Sequence, residues 1–76
     1  MDVKHFEMVV TLTGEPGKHF AETWITTCSL DDVSGVAHTA IMETIQHAQE
    51  LHPECFRIGE VTSSVLVVNS ATGEFI

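Results

Sequence analysis

The sequence predicts an α+β fold in which one long helix packs on one face of an antiparallel sheet. The segment from Ser29 to His52 is the only one whose apolar residues recur at helical spacing. Segments with the alternation and β-branched composition of strands lie on both sides of it. With 76 residues, the chain is expected to form a single domain, residues 1–76, near the lower size limit for a core without metal or disulfide support.

A β-hairpin is predicted at the start of the chain. From Val3 to Thr13 apolar side chains occupy every second position, which is the periodicity of a strand with one buried face. Gly14 to Gly17 follow as a turn, with Pro16 and Gly17 suited to the centre of a type II turn. The chain then returns from Lys18 to Cys28 as the second strand, which is rich in residues that fit a pleated surface.

The central helix is predicted from Leu30 to Leu51, just before a proline. Ser29 is expected to cap it by accepting a hydrogen bond from the amide of Asp32. Gly35 costs about 1 kcal/mol inside a helix relative to alanine, so it predicts a close approach of the backbone to the sheet or a bend. The stripe expected to face the sheet comprises Val33, Ala37, Ile41, Ile45 and Ala48, widened by Val36, Ala40 and Leu51.

Two further strands are predicted after the helix, at Cys55 to Ile58 and at Val65 to Val68. Glu60 to Ser64 is expected to connect them, and Asn69 to Glu74 to form a turn. The order is therefore strand, strand, helix, strand, strand, and the helix covers one face of the sheet. The predicted core comprises Phe6, Met8, Val10, Trp24, Val33, Ala37, Ile41, Ile45, Phe56, Ile58, Val65 and Val67.

The net charge restricts the class of partner. Three basic residues stand against eleven acidic ones, giving a formal charge of -8 at pH 7. This balance argues against direct binding to nucleic acid or to an anionic membrane, because both depend on clustered lysine and arginine. The hydrophobic content of 43% is too high for a disordered acidic tail. The absence of a membrane-spanning run and of a signal-peptide layout predicts a soluble, cytoplasmic protein.

Cysteines and histidines are the candidates for metal or catalytic chemistry. Cys28 and Cys55 belong to no CxxC or disulfide-rich pattern, so both are expected to be buried free thiols. No two of the five histidines stand four residues apart, and Glu43 and His47 are expected to form an ordinary pair on a solvated helix face. No catalytic residue, metal site or cofactor is predicted. A metal- or thiol-dependent enzyme is the rival interpretation.

The excess of carboxylates has two interpretations. The first is solubility alone. The second is a negative surface that occupies a basic, nucleic-acid-binding groove on another protein, with carboxylates in place of phosphates. The residues expected to bind this partner are Glu7, Glu15, Glu22, Asp31, Asp32, Glu43 and Glu50.

The overall layout resembles that of small phage-encoded anti-CRISPR proteins and other anti-defence inhibitors. The features that carry this resemblance are the acidic composition, the alanine-rich helix, the segment PECFRIG and the last hairpin, SVLVVNSATGEF. The resemblance implies a stoichiometric inhibitor that binds a CRISPR effector or nuclease and blocks its nucleic-acid site or a conformational step. It transfers no functional residue, because it lies in the layout and not in a motif.

The same layout is also similar to that of small antitoxins, so the alternative is an antitoxin or structural subunit that binds its partner through a sheet edge. It resembles double-stranded-RNA-binding folds as well, but the basic face of those folds is missing here. The uncovered sheet face is expected to carry Val9, Ile25, Leu66 and Val68, which favours a homodimer or a partner protein.

Overall fold

The computed structural model describes residues 3–14, 17–57 and 61–76. In it, strands β1 (Val3–Thr13), β2 (His19–Ser29) and β3 (Thr62–Asn69) form one sheet in the order β2-β1-β3, and both pairings are antiparallel. Helix α1 (Val33–Leu51) packs on one face of this sheet. The α+β fold with one long helix and an antiparallel sheet is therefore confirmed, but the residues that the structure describes form three strands in place of the predicted four.

The central strand β1 supplies the middle of the core. Its alternation follows the predicted one, since Phe6, Met8, Val10 and Leu12 are completely buried beneath the helix. Because cross-strand partners share a face, the register places the side chains opposite these four residues on the helix side of the sheet. Trp24 of β2, for example, lies opposite Met8.

Helix α1 approaches the sheet through a line of small residues. Ala37, Ala40, Thr44 and Ala48 are buried, and larger side chains lie half-buried along the sides of the line. The predicted stripe therefore does face the sheet. Leu51, which was predicted to widen it, is exposed because the buried positions end at Ala48. Of the predicted core, Ile58 lies outside the described residues, and all the other members are buried or pack against buried residues.

The start of the helix differs from the prediction. Leu30–Asp32 form a turn of 3-10 helix before α1 begins. Ser29 makes no side-chain cap to a backbone amide; its hydroxyl donates to the Asp32 carboxylate at 2.9 Å. The predicted close approach at Gly35 is also wrong, because a Cβ added there would meet no atom within 4 Å.

The strand predicted at Cys55 to Ile58 is wrong over the residues that the structure describes. The amides of Cys55 and Phe56 both donate to the carbonyl of His52, at 3.0 and 3.2 Å, so the chain turns immediately after the helix. Amides used in this turn are not free to pair in a sheet. Strand β3 is correspondingly longer than predicted, because Thr62–Ser64, expected to be a connection, pair with β1.

The chain after β3 turns back on itself, as predicted. The Asn69 amide donates to the Glu74 carbonyl at 2.8 Å, and Gly73 adopts a positive φ of 74° within this turn. Phe75 then bridges to Val68. The short return segment covers only one end of the outer edge of β3, and no described residue pairs with that edge from Thr62 to Leu66.

Candidate protein-binding surfaces

An ion pair joins β2 to the helix. Glu22 lies on the helix side of β2, and both of its carboxylate oxygens lie 3.0 Å from Nδ1 of His47 on α1. The side chains remain 46% exposed for His47 and 28% for Glu22. His47 was expected to pair with Glu43 one turn earlier, but its hydrogen-bond partner is on the neighbouring strand.

Trp24 reinforces this junction. Its indole stacks on the His47 ring with an interplanar angle of 13° and a centroid distance of 6.3 Å. Its Nε1–H donates to the Thr44 hydroxyl at 2.9 Å, and that hydroxyl donates to the Ala40 carbonyl at 2.7 Å. The indole N–H and the buried hydroxyl therefore both have partners, and the contacts hold the helix over β2.

Carboxylates surround His47. The hydrogen bond that His47 donates to the Glu22 carboxylate raises the pKa of His47 above its ordinary value of 6.5, desolvation opposes this rise, and the charges of Glu22, Glu50 and Glu43 add to it. Glu43 and Glu50 precede and follow His47 by about one helical turn, so they lie on the same stripe of α1. Glu22, Glu43 and Glu50 are called the acidic shoulder below.

The raised pKa predicts a pH-dependent stability. A histidine whose pKa is higher in the folded state stabilises the fold fully below its unfolded value of about 6.5, and this contribution is lost as pH rises through the folded-state pKa. Urea midpoints of the wild type should therefore fall relative to those of Glu22→Gln between about pH 5.5 and 8.5. His38→Gln is the control and should keep the wild-type slope. Parallel profiles for the wild type and Glu22→Gln would contradict this prediction.

The other acidic residues predicted to bind a partner do not join the acidic shoulder. Glu7 lies on the opposite face of the sheet, and Asp31 and Asp32 lie in the 3-10 turn before α1. Glu15 lies outside the described residues. The sequence predicted Glu22, Glu43 and Glu50 as partner-binding residues without grouping them, because the proximity of Glu22 to the helix depends on how α1 crosses β2.

Basic side chains do not neutralise these carboxylates in the described part of the chain. Lys4, Lys18 and Arg57 are exposed, and none forms an ion pair with a described acidic residue. Glu43 and Glu50 are exposed and make no side-chain hydrogen bond to any described residue. The acidic shoulder is therefore a negative surface that is open to a cationic partner.

The sheet face turned away from α1, called the open face, is the second candidate surface. Its middle rows are Ile25, Glu7 and Val68, and next to them Thr23, Val9 and Leu66. Phe75 extends the first row through its bridge to Val68. Ile25 is 80% exposed, Phe75 70% and Leu66 49%. The apolar residues predicted for this face are therefore present on it.

A small cavity lies where the hairpin turn meets the end of the helix. It has a volume of about 100 Å³ and is lined by Lys18, His19, His52, Cys55 and Phe56. Cys28 and Cys55 are free thiols, as predicted, but they are half-buried and not buried. Over residues 3–14, 17–57 and 61–76, no three His, Cys, Asp or Glu side chains are arranged to hold a metal ion.

Comparisons with protein-family models, curated proteins and solved structures found no match to this chain. None of the helices in the described ranges has the length and apolar character required to cross a lipid bilayer. Functional inference therefore depends on the surfaces described above.

Proposed function

We propose that this chain is a non-catalytic binding module whose acidic shoulder occupies a basic surface on a partner protein. The observation that carries the proposal is that Glu43 and Glu50 stand exposed on one stripe of a helix with no lysine or arginine paired to them in the described part of the chain. The helix backbone fixes the spacing of these two carboxylates before a partner binds, so binding requires no ordering of the backbone there. A net charge of -8 would in addition steer the chain towards a cationic surface.

The partner class we propose is a nucleic-acid-handling complex, such as a CRISPR effector or another nuclease, with the chain acting as its stoichiometric inhibitor. Such complexes hold phosphate backbones in grooves lined by lysine and arginine. Glu43 and Glu50 are separated by about 10 Å along the helix axis, so neighbouring cations of such a groove can each meet one carboxylate. The acidic composition and the alanine-rich helix, which are among the features that carry the resemblance to small anti-defence proteins, favour the same class.

Affinity capture from a bacterial lysate tests this function. The immobilised chain is expected to retain a basic nucleic-acid-handling protein, and retention should fall as salt rises from about 50 to about 500 mM. The double variant Glu43→Lys with Glu50→Lys should abolish capture. The control variant Glu54→Lys with Glu74→Lys changes the net charge by the same amount at positions away from the acidic shoulder. It should keep most of the capture. Equal loss in both variants, or capture indifferent to salt, would refute the acidic shoulder as the binding site.

The outer edge of β3 supports a second candidate function, an antitoxin or structural subunit that binds through a sheet edge. Val67 accepts a hydrogen bond from Ile76 at 2.9 Å on this edge, so by alternation the backbone groups of Val65 and Ser63 point the same way. An extended segment of a partner would satisfy them. Ser63→Pro removes one outward amide without removing a bond to β1. Capture lost in Ser63→Pro but kept in the charge reversals would favour this function.

A further inference from the structure

We propose that two copies of this chain pack through their open faces, giving a dimer with four layers in the order helix, sheet, sheet, helix. The inference concerns a surface different from the acidic shoulder and does not depend on the proposed function. The shoulder lies on the helix side, so it remains outward in both copies.

The composition of the open face is that of an interface core. A sheet face that meets water normally carries polar side chains, whereas the two middle rows of this one carry Val9, Ile25, Leu66 and Val68 beside only Thr23 and Glu7, with Phe75 at the edge. Threonines and serines occupy most of the remaining positions on this face. A second copy of the same face would remove these apolar side chains from water.

The charge distribution is compatible with a second copy as the occupant, which would bring only the two Glu7 carboxylates into the interface. Among the acidic residues that the structure describes, only Glu7 lies on the open face, and neither lysine nor arginine lies there. The other described carboxylates lie on the helix side or at the ends of the elements. Two copies packed through their open faces therefore keep most of their negative charge apart. A basic partner would find only one carboxylate on this face to attract it.

The exposed area is consistent with a dimer. The accessible surface of the chain is 5085 Å², compared with about 4,600 Å² expected for a monomeric protein of this size. Three strands spanning up to 11 residues present a face of about 500 Å² in projection. Two such faces bury about 1,000 Å² in total, which is close to the smallest interface that a specific dimer requires. An interface at this lower limit is expected to be weak and concentration-dependent.

Sedimentation velocity between about 1 and 200 µM tests the dimer. The wild type should shift from monomer to dimer across this range. Leu66→Asp should raise the dissociation constant by about 100-fold or more, because each dimer then buries two further carboxylates beside the two of Glu7. Met42→Asp is the matched control, since Met42 is 48% exposed on the helix and Leu66 49% on the open face. This control should dimerise like the wild type.

Ile25→Asp gives an independent variant whose folding is not in doubt, because Ile25 is 80% exposed in the monomer. It should also be monomeric, with an unchanged circular dichroism spectrum. Added salt should strengthen the dimer or leave it unchanged, which is opposite to its effect on partner capture. A wild type that stays monomeric at about 200 µM would overturn the proposal. So would a dimer that survives both Ile25→Asp and Leu66→Asp, or one that only Ser63→Pro or Met42→Asp abolishes.

Discussion

Phe56→Ala is expected to lower the free energy of unfolding by about 3–5 kcal/mol, although Phe56 lies in a turn and not in a strand. Its side chain is 2% exposed, and its ring meets the Phe20 ring edge-on at a centroid distance of 6.0 Å. The His52 ring lies 6.3 Å away on another side. A domain of this size has a total stability of about 4–11 kcal/mol, so losing this ring would leave a marginally folded protein.

Urea denaturation measured by circular dichroism checks this expectation. Phe75→Ala is the matched control, because it removes the same ring from a position that is 70% exposed. It should change the free energy of unfolding by about 0.5 kcal/mol or less. Both variants are measured at a concentration where each sediments as a monomer. Similar losses in the two variants would contradict the assignment of Phe56 to the core.

Periodicity predicted the parts of the fold that depend on local pattern. The alternation in β1 specified its buried face correctly, because one face of a central strand must be apolar throughout. The hairpin return was predicted one residue too early, at Lys18 to Cys28 against His19–Ser29. The helix was also located correctly, apart from its first turn. In these segments the burial of one apolar face decides which residue type occurs at each position.

The fourth strand shows where pattern fails. Phe56 has the β-prone character of a strand residue, but its burial is achieved by a turn that brings one ring under the end of the sheet. An aromatic residue between turn residues can be buried by either arrangement, and periodicity over three or four residues does not separate them. The opposite error was made at residues 62–64, which were predicted to be a connection but belong to a strand. Ser63 and Ser64 have the composition of a connection and yet pair with the central strand.

The junction between Glu22 and His47 could not be predicted from helix spacing alone. Spacing along one helix suggests Glu43 as the partner of His47, whereas the crossing of α1 over β2 brings Glu22 to it. One signal was present in the sequence. Thr44 interrupts the apolar stripe at a position that must be buried, and a buried hydroxyl next to a tryptophan-bearing strand needs a hydrogen-bond partner.

Gly14→Ala and Gly35→Ala are expected to change stability in opposite directions. A Cβ at Gly14 would overlap the carbonyl oxygen of Cys55 and lie 2.8 Å from Cδ1 of Phe56. The backbone of Gly14 cannot easily move away, because its amide donates to Lys18 at 2.8 Å and its carbonyl accepts from Gly17 at 3.1 Å. Gly14→Ala should therefore cost about 3 kcal/mol, at the upper end of the usual cost of overpacking.

Gly35→Ala serves as the matched substitution. Gly35 lies within α1 and has open space around its missing side chain, so alanine removes conformational freedom from the unfolded chain and clashes with nothing. It should raise the free energy of unfolding by about 1 kcal/mol. Thermal and urea denaturation of both variants should therefore show free energies of unfolding that differ by about 4 kcal/mol. If Gly14→Ala were as stable as the wild type, the segment around Phe56 would not pack against the end of β1, and the large loss expected for Phe56→Ala would lose its structural basis.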